Sequence, residues 1–450
     1  MSAVNVAKFG GTSVANFESM SRCAAIIENN PTTKLVVSSA CSGVTNLLVE
    51  LANGVQDQSH RSEILQQLAT IHDDILSQLN DATTTANEVY AILDTVTSLA
   101  EAASIQASNK LTDHLVACGE LMSTHILTQL MVERGINAVR FDIREVLRTD
   151  AHYGRAEPQL EQISQLAKQK LLPLCKQSVV VTQGFIGADE EGNTTTLGRG
   201  GSDYSAALIA EGVEADGLEI WTDVPGIYTT DPRIAPKAAP IAEISFSEAS
   251  EMANFGAKIL HPSTLVPALR HDIPVFVGSS KAPELGGTWI RHRAETTPLF
   301  RALALRSNQT MVTLRSANMF HAYGFLAKVF EILAKHKVSV DLITTSEISV
   351  SLTLDQTGTS GGAPQLPQEA REELEELCSV KVEHGMCVVA LIGNNMAQTK
   401  GYAKQVFGTL DEFNLRMICY GASQHNLCFL LEEATAKQAI QRLHQELFEQ

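Results

Sequence analysis

The chain has 450 residues, 44% hydrophobic and 19% charged, which suits a globular protein of about three domains. Its 51 acidic and 34 basic residues leave a net charge of −17, which argues against a nucleic-acid binder. Any anionic substrate must therefore be captured by a locally positive cleft. The N-terminus, MSAVNVAKFGG, lacks a charged n-region and a long apolar h-region, so no signal peptide is expected. No run of about 18 apolar residues occurs, so no membrane span is expected either. The eight cysteines form no C-x-x-C pairs and have no histidine partners at zinc spacing. They are expected to be small buried residues of a reducing cytoplasm, and no metal site is expected.

Short β-rich runs, each ending in glycine or a small hydroxyl residue, begin at Val4, Leu35, Val179, Leu218 and Pro274. Helical patterns lie between them. Ile64, Leu65, Leu68, Ile71, Ile75, Leu76 and Leu79 keep a 3.6-residue period, as do Val89, Ile92, Leu93, Val96 and Leu99. This rhythm predicts an α/β fold with a largely parallel sheet covered on both faces. Ligands bind such sheets off the carboxyl ends of the strands. Lys8 with its glycine pair, Ser39, Gly184-Phe185 and Thr222-Asp223 all fall there.

The texture changes after about residue 295. Gly324–Leu354 aligns without a gap on Gly401–Leu431, at a constant offset of 77 residues. Gly324/Gly401, Val329/Val406, Phe330/Phe407, Leu333/Leu410, Ser346/Ser423 and Leu354/Leu431 are identities. Each unit reads strand, helix, strand, strand, helix, which marks an internal duplication. The first unit gains a closing strand near Val380–Glu383, whereas the second runs out after its last helix. The unclaimed strand Arg301–Arg306 is therefore expected to complete the second unit, with the first nested inside it. Thr357–Pro367 is expected to be a surface loop.

Three stretches carry chemistry. Lys8-Phe9-Gly10-Gly11-Thr12-Ser13 offers close backbone N–H groups, two hydroxyls and a point charge to an anion. A tight strand–helix turn with a surface lysine is the plain alternative. Thr194–Ala210 (TTTLGRGGSDYSAALIA) runs from hydroxyls through a glycine-flanked arginine into an apolar helix, an arrangement that suits an anion at a helix N-terminus. Ser202 or Asp203 would otherwise merely cap that helix. Trp221–Arg233 (WTDVPGIYTTDPR) places an aromatic ring, hydroxyls and an arginine on a loop at the sheet's carboxyl edge, as a nucleotide requires. A proline-rich loop with a capping aspartate is the alternative there.

Two further segments add a carboxylate and a cation. Leu111–Thr124 puts Glu120 beside a glycine on a helix, where it would serve a ligand ammonium, although a solvated helix-face glutamate is commoner. Phe255–Pro262 puts Lys258 near a helix end. No H-E-x-x-H or G-x-S-x-G occurs, and no histidine sits in the glycine stretches to act as general base. Phosphoryl transfer to a carboxylate needs none, because a group with a pKa near ~3.9 is already ionised.

KFGGTSV, TLGRGGSD, TDVPGIYTTDPR and FGAKILHP, in this order, resemble the aspartokinases of the amino-acid kinase fold. The C-terminal pair resembles the α+β ACT modules (βαββαβ) that aspartokinases carry. The likeness is to the monofunctional lysine-sensitive (aspartokinase III-like) type. It implies a catalytic domain at 1–294 and a regulatory domain at 295–450. The first ACT module would span about 308–385, and the second about 386–450 with strand 301–306. The implied reaction is transfer of the ATP γ-phosphoryl group to the β-carboxylate of L-aspartate, giving 4-phospho-L-aspartate. This is the first step towards lysine, threonine and methionine, with feedback by L-lysine.

By the same resemblance Lys8, Asp203 and Lys258 are catalytic. Ser39, Thr45, Glu120, Phe185, Arg199, Gly201 and Ser202 hold aspartate. Lys8, Gly10, Gly11, Thr222, Asp223, Tyr228, Arg233 and Lys258 hold ATP, whose Mg2+ sits mainly on the phosphates. Met319, Gly324, Phe325, Ser339, Val340, Asp341, Ser346 and Glu347 take lysine between subunits, which implies a homodimer or a dimer of dimers through the ACT modules. Ala322-Tyr323 replaces the serine usual after His321. Loss of one hydrogen bond there would weaken lysine by up to about tenfold. In the second repeat Ile418 and Gln424 replace Asp341 and Glu347, so only the first module is expected to bind effector. The nearest rivals are a glutamate or N-acetylglutamate kinase of the same fold and a sensor with a dead kinase half. A dinucleotide oxidoreductase is excluded by the missing G-x-G-x-x-G.

Overall fold

The computed structural model describes residues 3–198, 200–256, 262–319, 323–355 and 363–449. The chain forms two compact units. One comprises residues 1–227, 240–246 and 259–294, and the other 228–239, 247–258 and 295–450.

The first unit begins with β1 (Asn5–Phe9), α1 (Phe17–Asn29), β2 (Thr33–Ser38) and α2 (Val44–Ala52). Helices α3 (Gln58–Leu76), α4 (Thr83–Ile105) and α5 (Asn109–Glu133) follow, then β3 (Ala138–Phe141), α6 (Leu160–Leu166), α7 (Leu172–Cys175) and β4 (Val179–Gln183). A small hairpin, β5 (Ile186–Ala188) and β6 (Thr194–Thr196), precedes α8 (Gly201–Gly212) and β7 (Gly217–Thr222). The unit closes with β8 (Glu243–Ser245), α10 (Pro262–Arg270), β9 (Val275–Ser279) and β10 (Gly287–Arg291); between β8 and α10 the chain forms α9 (Phe246–Asn254), which belongs to the second unit from residue 247 on.

Eight strands make one sheet in the order β3-β4-β2-β1-β7-β9-β10-β8. The first six are parallel, β10 runs antiparallel to β9, and β8 pairs parallel with β10. Central strands buried on both faces read as continuous apolar runs, which is why β1, β2, β4, β7 and β9 are legible in the sequence. The hairpin and the edge strands β3 and β8 are only three or four residues long and carry no comparable pattern.

Helix α5 is the axis of the first unit. Ser108 caps it, accepting from Leu111 N at 3.3 Å. Among the described residues it is the one helix long and apolar enough to cross a membrane by length and composition, yet 78% of that stretch is buried inside the fold. Close approach is secured by Gly119, where a Cβ would lie 2.8 Å from Ala40 Cβ. That contact brings the middle of α5 against the turn after β2.

The second unit contains a six-stranded sheet of order β12-β13-β11-β14-β16-β15. Its elements are β11 (Phe300–Arg315), α11 (Phe325–Lys335), β12 (Val340–Thr345), β13 (Ser349–Leu354), α12 (Gln368–Glu375), β14 (Ser379–Gly393), α13 (Tyr402–Thr409), β15 (Met417–Tyr420), β16 (Asn426–Glu432) and α14 (Glu433–Phe448). The duplication is visible in the backbone. Gly324 and Gly401 both hold positive φ, 84° and 91°, immediately before α11 and α13. The strands β12 and β15, and β13 and β16, start at the 77-residue offset.

Arg301–Arg306 and Met311–Arg315 are halves of one long strand, β11. The first half pairs with Val388–Gly393 of β14, and the second with Ser379–Glu383 and with β13. Each repeat keeps its own core. One gathers Val312, Leu314, Val329, Leu333 and Leu352, the other Leu303, Val389, Val406, Phe429 and Ile440. Of the expected surface loop, residues 357–362 lie outside the described residues.

Candidate active site

The strand β1 delivers Lys8 to the carboxyl edge of the sheet between Val37 of β2 and Ile220 of β7. The chain then turns at Gly10 into a short 3-10 segment, Gly11–Val14, before Asn16 caps α1. Gly11 lets the turn approach Ala40, whose oxygen would be 3.0 Å from an added Cβ. The turn is anchored from behind: Gly10 N donates to Trp221 O at 3.3 Å, and Ser13 Oγ lies 2.7 Å from Ser280 Oγ. Ser13 is therefore a buried fastener rather than the anion donor expected of it; Thr12 is exposed.

Helix α8 points its first turn at the same place. Gly200 precedes it with φ 75°; among the described residues no side chain caps the helix, and Gly201 N donates to Gly198 O at 3.0 Å, so it is the next N–H groups of the first turn that an anion would meet. Asp203, in that first turn, lies with Oδ1 2.5 Å from Lys8 Nζ. Gly184-Phe185 docks on the turn. Phe185 has φ 70°, and a Cβ on Gly201 would meet its ring at 2.7 Å. The main-chain N–H of Phe185 donates to Ser205 Oγ, which itself donates to the Ser202 oxygen.

Glu120 enters from α5. It is 3% exposed, and its Oε2 has no hydrogen-bond partner among the described residues. Burial pushes its carboxyl up to about 8, against the opposing pull of the Ala40 N–H, its own N–H and Lys8. The commoner reading, a solvated helix-face glutamate, does not hold. A buried carboxylate oxygen left bare costs energy unless a ligand cation completes it. Ser39 sits beside it: Ser123 Oγ donates to the Ser39 oxygen at 2.7 Å, and Ser39 N donates to Phe9 O. Thr45 lies in the first turn of α2, after Gly43 at φ 85°.

Asp113, two helical turns before Glu120, is a supporting residue that sequence reading missed. Its carboxylate accepts from Gly154 N (2.9 Å), Thr196 N (2.9 Å) and Thr196 Oγ1 (2.8 Å), fixing the strand that leads to α8. A single aspartate in a helical pattern gives no signal of partners more than 40 residues away.

Thr222 and Asp223 end β7, with Thr222 Oγ1 3.2 Å from Asp223 Oδ1. Tyr228 and Arg233 belong to the second unit. There Arg233, with 86% of its side chain exposed, is held by Asp231 at 2.7 Å. Arg199 and Lys258 lie outside the described residues, as do His321 and Ala322.

In the second unit Met319 ends a 3-10 turn, Gly324 and Phe325 open α11, and Ser339, Val340 and Asp341 lead into β12. Asp341 pairs with Arg306 at 2.9 Å, and Arg306 also pairs with Asp355. Ser346 Oγ is 2.7 Å from Ser349 Oγ in the following turn, and Glu347 is exposed. Tyr323 projects fully into solvent.

A lysine on a glycine turn, an uncapped helix carrying a paired aspartate, and a bare buried carboxylate on one parallel sheet define a kinase of the amino-acid kinase fold with appended ACT modules. A family model for the Amino acid kinase family matches residues 3–279, and one for the ACT domain matches 312–361 and 389–447. The lysine-sensitive aspartokinase 3 of Escherichia coli (strain K12) is 55% identical over the whole of both chains. The E. coli aspartokinase III structure in complex with aspartate and ADP (R-state) has a TM-score of 0.89 at 54% identity, covering 99% of this chain and 100% of that one. The complex of that enzyme with lysine and aspartate (T-state) gives 0.85 at the same identity, covering 99% of each. The chain belongs to the aspartokinases.

Proposed function

We propose that the chain transfers the γ-phosphoryl group of ATP to the β-carboxylate of L-aspartate, giving 4-phospho-L-aspartate and ADP. The observation that carries this reading is the bare, buried Oε2 of Glu120 close to the Lys8–Asp203 pair. It supports an amino-acid substrate with a free ammonium, and speaks against an acetylated one. The E. coli relative, solved with aspartate and ADP, points the same way.

In this reading Glu120 holds the α-ammonium, while Arg199 and the N-terminus of α8 at Gly201-Ser202 hold the α-carboxylate. Ser39, Thr45 and Phe185 line the pocket. Gly10 and Gly11 cradle the phosphates, Lys8 and Lys258 neutralise the charge of the moving group, and Asp203 keeps Lys8 aimed. Thr222, Asp223, Tyr228 and Arg233 take the rest of the nucleotide. Magnesium would arrive on the ATP phosphates and supply further neutralisation there. The ionised β-carboxylate attacks phosphorus in line, so no general base and no covalent enzyme intermediate are needed.

The same reading assigns residues 1–294 to catalysis and 295–450 to regulation in a cytoplasmic homodimer or dimer of dimers joined through the ACT modules. Lysine is the effector, held by Met319, Gly324, Phe325, Ser339, Val340, Asp341, Ser346 and Glu347 of the first module. A hydroxamate assay with MgATP and L-aspartate tests both halves. Aspartyl hydroxamate suppressed by lysine but not threonine is the expected result. Product from glutamate but not aspartate would overturn the substrate, and activity indifferent to lysine would overturn the effector.

A further inference from the structure

A cavity of about 450 Å³ opens in the first unit between α1 and the strands β7, β9 and β10. Glu219 and Trp221 are two residues apart on β7 and so share a face. Phe276 of β9 stands opposite Glu219, and Trp289 of β10 opposite Phe276. The three rings make a continuous wall: Trp221 to Phe276 is 5.3 Å at 60°, and Phe276 to Trp289 is 5.1 Å at 53°. Gly287 leaves room for it, since a Cβ there would lie 2.5 Å from Phe276 Cζ.

Glu219 is buried among these rings. It accepts from Asn30 Nδ2 at 2.6 Å and Trp221 Nε1 at 3.0 Å, and among the described residues no cation pairs with it. Arg22, at the rim, is turned to Glu18 and Ser19. A carboxylate has about four acceptor positions, so two donors leave it capacity. Ring faces attract cations, and Trp289 already takes one, with the Arg291 guanidinium 5.0 Å from its centroid. The net charge of −17 adds a general attraction.

We propose that this cavity binds a small organic monocation, a protonated amine or guanidine bearing an apolar group. Its charge sits on Glu219, and its apolar part lies against Trp221, Phe276 and Trp289. The site goes beyond the kinase reading and uses none of its residues. It is not isolated from them, because the Trp221 main-chain oxygen holds the Gly10 turn.

The chain has two tryptophans, Trp221 and Trp289, and both line the cavity, so intrinsic emission reads its occupancy directly. The full chain is titrated with phenethylammonium chloride and, as a neutral match, with 2-phenylethanol at constant ionic strength. A saturable change for the amine, at least about tenfold tighter than for the alcohol, is expected. Glu219→Gln should bring the amine down to the level of the alcohol. Trp289→Leu, on the half-exposed rim, should weaken the amine several-fold even if the glutamine variant folds poorly. Equal affinity for amine and alcohol, a non-saturating change, or an unaltered titration in Trp289→Leu would overturn the proposal. So would displacement of the amine by MgADP and L-aspartate, which would put it in the active site.

Discussion

Lys8 Nζ and Asp203 Oδ1 meet at 2.5 Å with both side chains largely buried, so the end of β1 and the first turn of α8 share one ion pair. The pair arrests a flexible ammonium which, in the reaction proposed above, would neutralise the moving phosphoryl group. Asp203→Asn should lower kcat by about 10²–10³ while changing the aspartate KM by only about threefold. Steady-state kinetics at saturating MgATP decide it. A KM effect larger than the kcat effect would make Asp203 a substrate ligand instead.

Glu120 gives a pH signature. Burial pushes its carboxyl up to about 8 in the folded chain, well above the usual carboxylate range near 4.5. Between those values the folded state holds a proton that the unfolded state has lost, so this group stabilises the empty chain at low pH. That stability is lost as pH rises through about 8. An ammonium ligand needs the carboxylate, so aspartate binding near pH 7 should release close to one proton and tighten up to about pH 8. Calorimetry in buffers of different ionisation enthalpy measures the release. Glu120→Gln should abolish it, weaken aspartate by about 100-fold, and flatten the melting temperature of the empty chain against pH.

Asp113→Ala should strand the Gly154 and Thr196 N–H groups, at a cost of about 2–4 kcal/mol. Denaturant unfolding reads that directly. The strand it secures leads into Gly201-Ser202, so aspartate KM should rise more than kcat falls. An unchanged KM would show that the strand keeps its position without this carboxylate.

Arg306 holds Asp341, the carboxylate proposed to meet the effector. A ligand ammonium must displace that guanidinium, so Arg306→Met should tighten lysine inhibition by several-fold, and Asp341→Asn should weaken it by about tenfold or more. Inhibition curves for the two variants should therefore shift in opposite directions. A shift in the same direction would show that Arg306 helps to build the site.

The sequence made legible what repeats or clusters locally. Buried parallel strands are apolar runs, the duplicated module keeps its spacing residue for residue, and the glycine turn after β1 is contiguous. What it hid depends on contacts between distant segments. Ser13 looks like an anion donor until Ser280 and Trp221 are placed behind it, and Glu120 looks solvated until Gly119 seats α5 on Ala40. Asp113 is indistinguishable from any helical aspartate without Thr196 and Gly154. Tyr228 and Arg233 read as one motif with Thr222 and Asp223, yet the chain passes from one compact unit to the other at residue 228.

Helix α9 illustrates a wider consequence. Its Glu248 is fully buried and pairs with Arg301 at 2.7 Å and Asn394 at 2.5 Å, while Glu251 accepts from Ser423 and Asn426. Its chemical partners thus lie 53 to 175 residues downstream. A fragment ending at 294 would strand a buried carboxylate. The two halves of the gene cannot be shuffled as independent cassettes, and a lineage that exchanges one sensor for another must carry a matching α9 along with it.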